Sequence, residues 1–307
     1  MPSPLALPDG YLQRALTLDD AQAITDVIAA DERANTGEVS IELADIVADW
    51  SRPSSDLGNR AVGVEYDGRL VAYVEAMGGF RGDANVHPDH WGRGIGTELA
   101  RWLRDMAAEL GLDVIGMPRL VGSPAEQVLA DLGWFVRWTS WVLELPEGAE
   151  IPRRALPQGY AIRQGTPDDY RAIWTVQEDA FLEWADRERE SFEDWLAEGP
   201  QRLGFEPWNF RVVCDPSGAI VAMAYVFIAQ ADEGYVDSLA TRSDQRGRGL
   251  AQALLADAFA AARTHGASRS ALNTDSRTGA LDLYRKVGME VTKTYHHRAT
   301  PTAPQAS

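Results

Sequence analysis

The sequence predicts a mixed α/β fold built twice over in one chain, and three observations carry that expectation. The length of 307 residues suits two domains of about 150 residues each. The stretch GYLQRALTLDDAQAI from Gly10 recurs as GYAIRQGTPDDYRAI from Gly159. Two glycine-punctuated turns, HWGRGIGTELA from His90 and QRGRGLAQALL from Gln245, each open an apolar-striped helix.

The repeat keeps its order along the whole chain. Gly10, Tyr11, Arg14, Thr17, Asp19, Asp20, Ala23 and Ile24 all return 149 positions later. DGRLVAYV from Asp67 aligns with SGAIVAMA from Ser217, and Leu132-Gly133-Trp134 aligns with Val287-Gly288-Met289. A period this long excludes a solenoid. The expected domains are residues 1–148 and 158–300, with the proline-bearing LPEGAEIPRRALPQG (Leu145 to Gly159) as linker.

Each copy reads alike. A short strand leads into Thr-x-Asp-Asp, a helix N-cap with first-turn carboxylates. A polar helical region follows, then a hairpin at Asp67-Gly68 or Pro216-Ser217-Gly218. EGYVDSLAT supplies the strand before the second turn, whereas GGFRGDANVHPD, glycine-rich and polar, reads as an eroded strand before the first. After the second turn Leu254, Leu255, Ala258, Phe259 and Ala262 share one helix face, and Gly266 stops it. Its counterpart stripes Leu99, Trp102, Leu103, Met106 and Leu110 and stops at Gly111. A last strand and helix close each copy, ALDLYRKVGM being the second one's helix and glycine stop.

Composition narrows the partners. Hydrophobic residues at 45% and charged ones at 24% are ordinary for a soluble globular chain. No apolar run approaches the ~18 residues of a membrane helix, and MPSPLALPDG lacks the basic start of a secretory signal. Cys214, the one cysteine, excludes an internal disulfide, fits a reducing cytoplasm, and reads as a small buried apolar residue. A net charge of −17 argues against nucleic acid and favours the approach of a cationic amine.

Glycines at a strand-to-helix turn let backbone N–H groups converge at the helix's positive end, where a diphosphate is the usual occupant. The turn lacks the Gly-Lys-Ser/Thr of a triphosphate loop and the spacing of a dinucleotide fingerprint, so a kinase or dehydrogenase is excluded. RGRGLA followed by LYRKVGM resembles the GNAT superfamily of acyl-CoA-dependent N-acyltransferases, whose motif Arg/Gln-x-x-Gly-x-Gly/Ala is matched by Arg246, Gly249 and Ala251. The resemblance covers nearly the whole chain twice, and the tandem arrangement is similar to mycothiol synthase and its actinobacterial relatives. It implies two GNAT-like domains, each a mixed, mostly antiparallel sheet flanked by helices. It further implies that acetyl-CoA is the cosubstrate, with no metal. Its diphosphate would lie on the amides of Arg246, Gly247, Arg248, Gly249, Leu250, Ala251 and Gln252, and its pantetheine along Leu239, Ala240 and Thr241.

Acyl transfer to an amine poses two proton problems. An amine with a pKa near 10 arrives protonated, and a departing thiolate benefits from a proton. Tyr284 matches the family's general acid. Glu233 or Asp237 is the candidate base, and a main-chain N–H near Leu239 the oxyanion donor. Arg277 stands where relatives carry asparagine, and is open between a coenzyme or substrate ligand and a surface residue. Trp184, Trp195 and Trp208, interleaved with acids, are expected to roof the acceptor site or to form an amphipathic helix pair. His296 and His297 read as exposed strand residues.

In the first copy Leu129 replaces the tyrosine and Trp91 the motif's Arg/Gln, so that copy is expected to cradle a diphosphate without catalysing. Two readings follow: an N-acetyltransferase active in its second half on a small-molecule amine, or a non-catalytic acyl-CoA-binding module. Either is expected to be a monomer or a homodimer.

Overall fold

The recurring residues near Gly10 and Gly159 are those that start the first helix of each copy. In the computed structural model, which describes residues 2–230 and 232–302, Thr17 and Asp20 cap each other reciprocally, as do Thr166 and Asp169. A guanidinium from the preceding strand then clamps the cap, Arg14 on Asp20 at 2.7 and 2.8 Å and Arg163 on Asp169 at 2.6 and 2.9 Å. That pairing holds the Asp169 carboxyl down to about 2. Box and clamp together satisfy N–H groups that a helix start leaves unbonded, which is why the same seven-residue frame serves both copies.

The chain forms two compact units, residues 1–139 with 295–307, and residues 140–294. In the first, β1 (Tyr11–Ala15), β2 (Ala61–Tyr66), β3 (Arg69–Ala76) and β4 (Gly82–Val86) form an antiparallel sheet in that order. The sequence GGFRGDANVHPD, expected to be eroded, thus contributes a regular strand, held by five register pairs to β3. Helices α1 (Ala21–Thr36), α2 (Leu43–Trp50) and α3 (Leu57–Arg60) come between β1 and β2. Helix α4 (Ile95–Glu109) buries Leu99, Trp102, Leu103 and Met106 as its stripe predicted, and leads to β5 (Val114–Leu120), α5 (Pro124–Asp131) and β6 (Phe135–Glu144).

The second unit repeats the order with β7 (Ala161–Gln164), α6 (Tyr170–Phe181), α7 (Phe192–Glu198), β8 (Phe210–Cys214), β9 (Ile220–Ala229) and β10 (Glu233–Thr241). Then come α8 (Leu250–Thr264), β11 (Arg269–Asp275), α9 (Leu281–Lys286) and β12 (Glu290–Pro301). Cys214 is buried, as expected of a small apolar residue. Among the described residues no helix is long and apolar enough to cross a membrane.

The expected boundaries at 148 and 158 need correction. Strand β6 begins in the first unit, but its residues 140–144 pair with β11 of the second. Strand β12 begins in the second unit, and Tyr295–Pro301 pair antiparallel with β5 of the first. The supposed linker also belongs to the second unit, where Leu145 and Ile151 are buried in the core. An open edge presents unpaired backbone N–H and C=O groups, which a strand from either copy can satisfy.

The exchange extends to side chains. Arg298 donates from Nε to Glu126 at 2.8 Å and from Nη1 to the Trp134 carbonyl at 2.7 Å, and Ala299 is buried. His296 lies 3.1 Å from Glu126 and His297 stacks on Trp138, so neither is the exposed strand histidine expected. Removing residues 295–307 is expected to strip β5 of this partner and to raise amide exchange at Val114–Leu120 by about tenfold or more. Strands β8 and β9 should keep their protection. Hydrogen-exchange mass spectrometry decides it, and an undisturbed β5 would contradict the exchange.

Candidate active site

In the second unit the site begins where two parallel neighbours part. Strands β10 and β11 pair from Glu233–Arg269 to Val236–Leu272, and there the ladder ends although both strands run on. A register shift between Val236 and Ser238 against β9 marks the same point. Beyond it Leu239, Ala240 and Thr241 keep β9 on one side and face the gap on the other. The Thr241 hydroxyl is buried there with no hydrogen-bond partner among the described residues.

The turn that follows is set by glycines. Gly247 and Gly249 hold φ of 73° and 79°, a left-handed conformation that favours glycine. The first helical bond of α8 runs from the Ala253 N–H to the Gly249 carbonyl, at 3.1 Å. The N–H groups of Leu250, Ala251 and Gln252 therefore point out of the helix's positive end, as an anion cradle requires. The displaced linker crosses this end. Gln252 donates to the Pro152 carbonyl at 2.9 Å, Tyr160 donates to Gln245 at 2.7 Å, and the Arg154 side chain lies in the space that a β-carbon on Gly249 would fill.

The predicted catalytic residues separate. Tyr284, on α9, is buried in the core that holds Leu250 and Leu254, and burial pushes its phenol up to about 12. Asp237 is exposed beside the register shift and accepts a 2.7 Å hydrogen bond from the Ser238 hydroxyl. Glu233 sits four residues earlier, at the paired end of the strands, with its carboxylate 3.3 Å from Arg269. That ion pair places Glu233 in the fold and leaves Asp237 as the carboxylate at the parting point.

Arg277 is committed as well. It grips Asp275 with Nη2 at 2.5 Å and stacks over Trp184 at 4.8 Å. Arg246 reaches Glu183 at 2.5 and 2.9 Å, so the 183–184 segment is tied to the turn and to the end of β11. Of the three tryptophans expected either to roof the acceptor site or to form a helix pair, Trp184 lies against Arg277. Trp195 stacks in the core on Phe192 and Phe210, and Trp208 stacks on His265.

The first unit holds what the sequence reading missed. Strands β4 and β5 are flanked by β3 and β12, and among the described residues the backbone bridge between their neighbourhoods is Arg81–Gly116. A cavity of about 240 Å³ lies at this parting, reaching from Trp91, Gly94 and Thr97 at the turn to Leu129, Arg119 and Asp31. Leu129 thus lines a cavity at the position where Tyr284 stands in the other copy. Among the described residues nothing stands within 4 Å of a β-carbon on Gly94, in contrast to Gly249.

Beside this cavity Tyr73, fully buried, donates to Asp83, and Arg119 lies 3.3 Å from the same carboxylate. Asp31 accepts from Asn35 at 3.1 Å, and burial pushes its carboxyl up to about 6. A signal for Asp31 was present in the sequence. It continues the buried Ile24, Val27 and Ile28 stripe of α1 by one further turn, where an apolar residue would be expected.

A model of the acetyltransferase (GNAT) family matches residues 24–120 and again 170–289. The chain belongs to the GNAT acetyltransferase family. A mycothiol acetyltransferase from Frankia casuarinae is 31% identical over 177 residues, 54% of this chain and 49% of that protein. The chain therefore spans about half the length of this curated relative. A GCN5-related N-acetyltransferase from Sphaerobacter thermophilus superposes with a TM-score of 0.76 at 28% identity, covering 97% of this chain and 98% of that one. A tandem GNAT protein from the clavulanic acid biosynthesis pathway superposes at 0.73 with 16% identity over 96% and 100%, a likeness of fold.

Among the GNAT motif positions Arg277 gives the sharpest contrast between ligand and brace. Arg277→Ala is expected to change acetyl-CoA affinity by no more than about fivefold, since the part-exposed pair it breaks is worth about 1 kcal/mol or less. Amide exchange around Trp184 should rise. A larger loss in calorimetry would return Arg277 to the coenzyme site.

Proposed function

We propose that the chain transfers an acetyl group from acetyl-CoA to a primary amine of a small molecule by direct attack, with the chemistry in its second half. The observation that carries this reading is a parted strand pair and a glycine-set helix start at one end of β10, together with a tyrosine on α9 buried in the same core as that helix. The buried Thr241 hydroxyl and the space over Gly249 fit a coenzyme whose pantetheine runs along Leu239 to Thr241 and whose diphosphate displaces Arg154. The resemblance to mycothiol acetyltransferases supports acetyl as the acyl group.

Acetyl-CoA supplies the activated acetyl group, and the residues handle charge. Asp237 accepts the ammonium proton, directly or through water, from an amine that the acidic chain attracts. Leu239 lies just beyond the parting point, and its N–H is the donor assigned to the developing oxyanion. Tyr284, still protonated far above neutral pH, gives its proton to the leaving sulfur. Glycine-to-aspartate at position 249 would set a carboxylate against the diphosphate, so Gly249→Asp should remove one class of acetyl-CoA site in calorimetry. Parent-like binding by a folded variant would refute the placement. Tyr284→Phe should lower turnover by roughly 10²–10⁴ with acetyl-CoA affinity nearly unchanged. Unimpaired turnover would reduce the tyrosine to packing.

A further inference from the structure

We infer that Arg154, which lies outside the glycine motif, closes over the coenzyme diphosphate and gives the second turn its preference for a diphosphate-bearing thioester. The assignment rests on the acyl-CoA reading above and deepens it by a residue that the motif does not contain.

Arg154 rides on a strap that both copies build. Ala6-Leu7-Pro8 and Gly10-Tyr11 recur as Ala155-Leu156-Pro157 and Gly159-Tyr160. In each copy the strap's tyrosine hydroxyl bonds a residue at the start of the glycine turn, Tyr11 with His90 at 2.7 Å and Tyr160 with Gln245 at 2.7 Å. An arginine of the turn reaches the same hydroxyl, Arg93 at 3.0 Å and Arg248 at 3.5 Å. In the second copy Gln252 adds a hold on the Pro152 carbonyl, and Ile151 and Leu156 pack on the core. The strap is thus fixed before and after Arg154, while residues 153–155 are exposed.

The copies differ in the residue just before Ala-Leu-Pro. In the first it is Leu5, which packs against the core of its unit and leaves Gly94 uncrowded among the described residues. In the second it is Arg154, whose Cζ lies 2.8 Å from where a β-carbon on Gly249 would be, with Nε and Cδ closer still. That places a guanidinium at the start of α8, whose first turn holds no acid. A cation is disfavoured at the positive end of a helix.

The chain has acids to spare, 46 against 29 basic residues, and it uses them on the neighbouring arginines. Arg242 pairs with Asp244 at 2.7 Å, and Arg246 with Glu183 at 2.5 and 2.9 Å. Among the described residues no carboxylate pairs with Arg154. A guanidinium kept without an acid beside outward-facing amides is complementary to an anion from outside the chain.

A diphosphate on the amides of Leu250, Ala251 and Gln252 needs the space that this side chain fills, so Arg154 yields it. With the strap fixed on both sides, the side chain turns about its own bonds and stays within reach of the anion. Its planar fork then meets two phosphate oxygens on the face that the amides leave open. The diphosphate is held between main-chain donors and a guanidinium.

The test uses the full chain carrying Gly94→Asp, so that calorimetry reads the second turn. Arg154→Leu, the first copy's residue, should weaken acetyl-CoA by about tenfold, as loss of one charge-assisted hydrogen bond does. Dephospho-CoA, which keeps the diphosphate and lacks the ribose phosphate, should lose as much. S-acetylpantetheine, which has no diphosphate, should bind both chains alike. Arg154→Lys should recover only part of the loss, since an ammonium has no fork. Unchanged or tighter acetyl-CoA binding in Arg154→Leu would overturn the proposal and make the arginine an obstacle. An equal loss with S-acetylpantetheine, or a loss absent with dephospho-CoA, would overturn it as well. No acetyl-CoA binding by the Gly94→Asp chain with Arg154 intact would overturn the second-turn placement itself, and the proposal with it.

Discussion

Both candidate sites depend on two neighbouring parallel strands that part. Backbone N–H and C=O groups demand partners when buried, so a parted pair holds its shape only if each strand is anchored on its far side. Here β10 is anchored by β9 and β11 by β6, while β4 is anchored by β3 and β5 by β12. The anchors β6 and β12 are the two strands that change units. The strand exchange and the gap are thus one structural fact: each gap stays open because a strand segment encoded in the other copy completes the sheet beside it.

Backbone-coded features survived duplication better than side-chain-coded ones. Both turns keep left-handed glycines at corresponding places and a helix whose first amides face outward. By contrast Tyr284 faces Leu129 across the repeat, and the crowded Gly249 faces the open Gly94. An amide cradle tolerates side-chain change because its donors are main chain, whereas proton transfer changes with a single residue.

Much of this was legible in the sequence, and the limits have physical causes. The N-caps, the two turns and the α4 and α8 stripes depend on spacing within a few residues, and all form as read. The exchanged strands did not show, because edge pairing is a long-range choice that leaves no local mark. Nor did the locks on Arg277 and Glu233, whose partners Asp275 and Arg269 come near only through a turn and a parallel ladder. The strand Gly82–Val86 looked eroded because polar residues that face a cavity break the apolar alternation by which a strand is recognised.

That last failure points to where the first unit departs from ordinary folding rules. A stable domain would place apolar side chains where Asp31 ends the α1 stripe and where Glu75 lies buried in β3, its carboxyl raised to about 7 by burial. It would also avoid the fully buried Tyr73 hydroxyl, whose phenol burial raises well above its ordinary value. Each such group costs folding free energy that neighbouring hydrogen bonds only partly offset. These departures lie on α1, β3 and β4, while α4 keeps an apolar stripe. Polar groups buried on these elements carry a folding cost that the apolar α4 side does not.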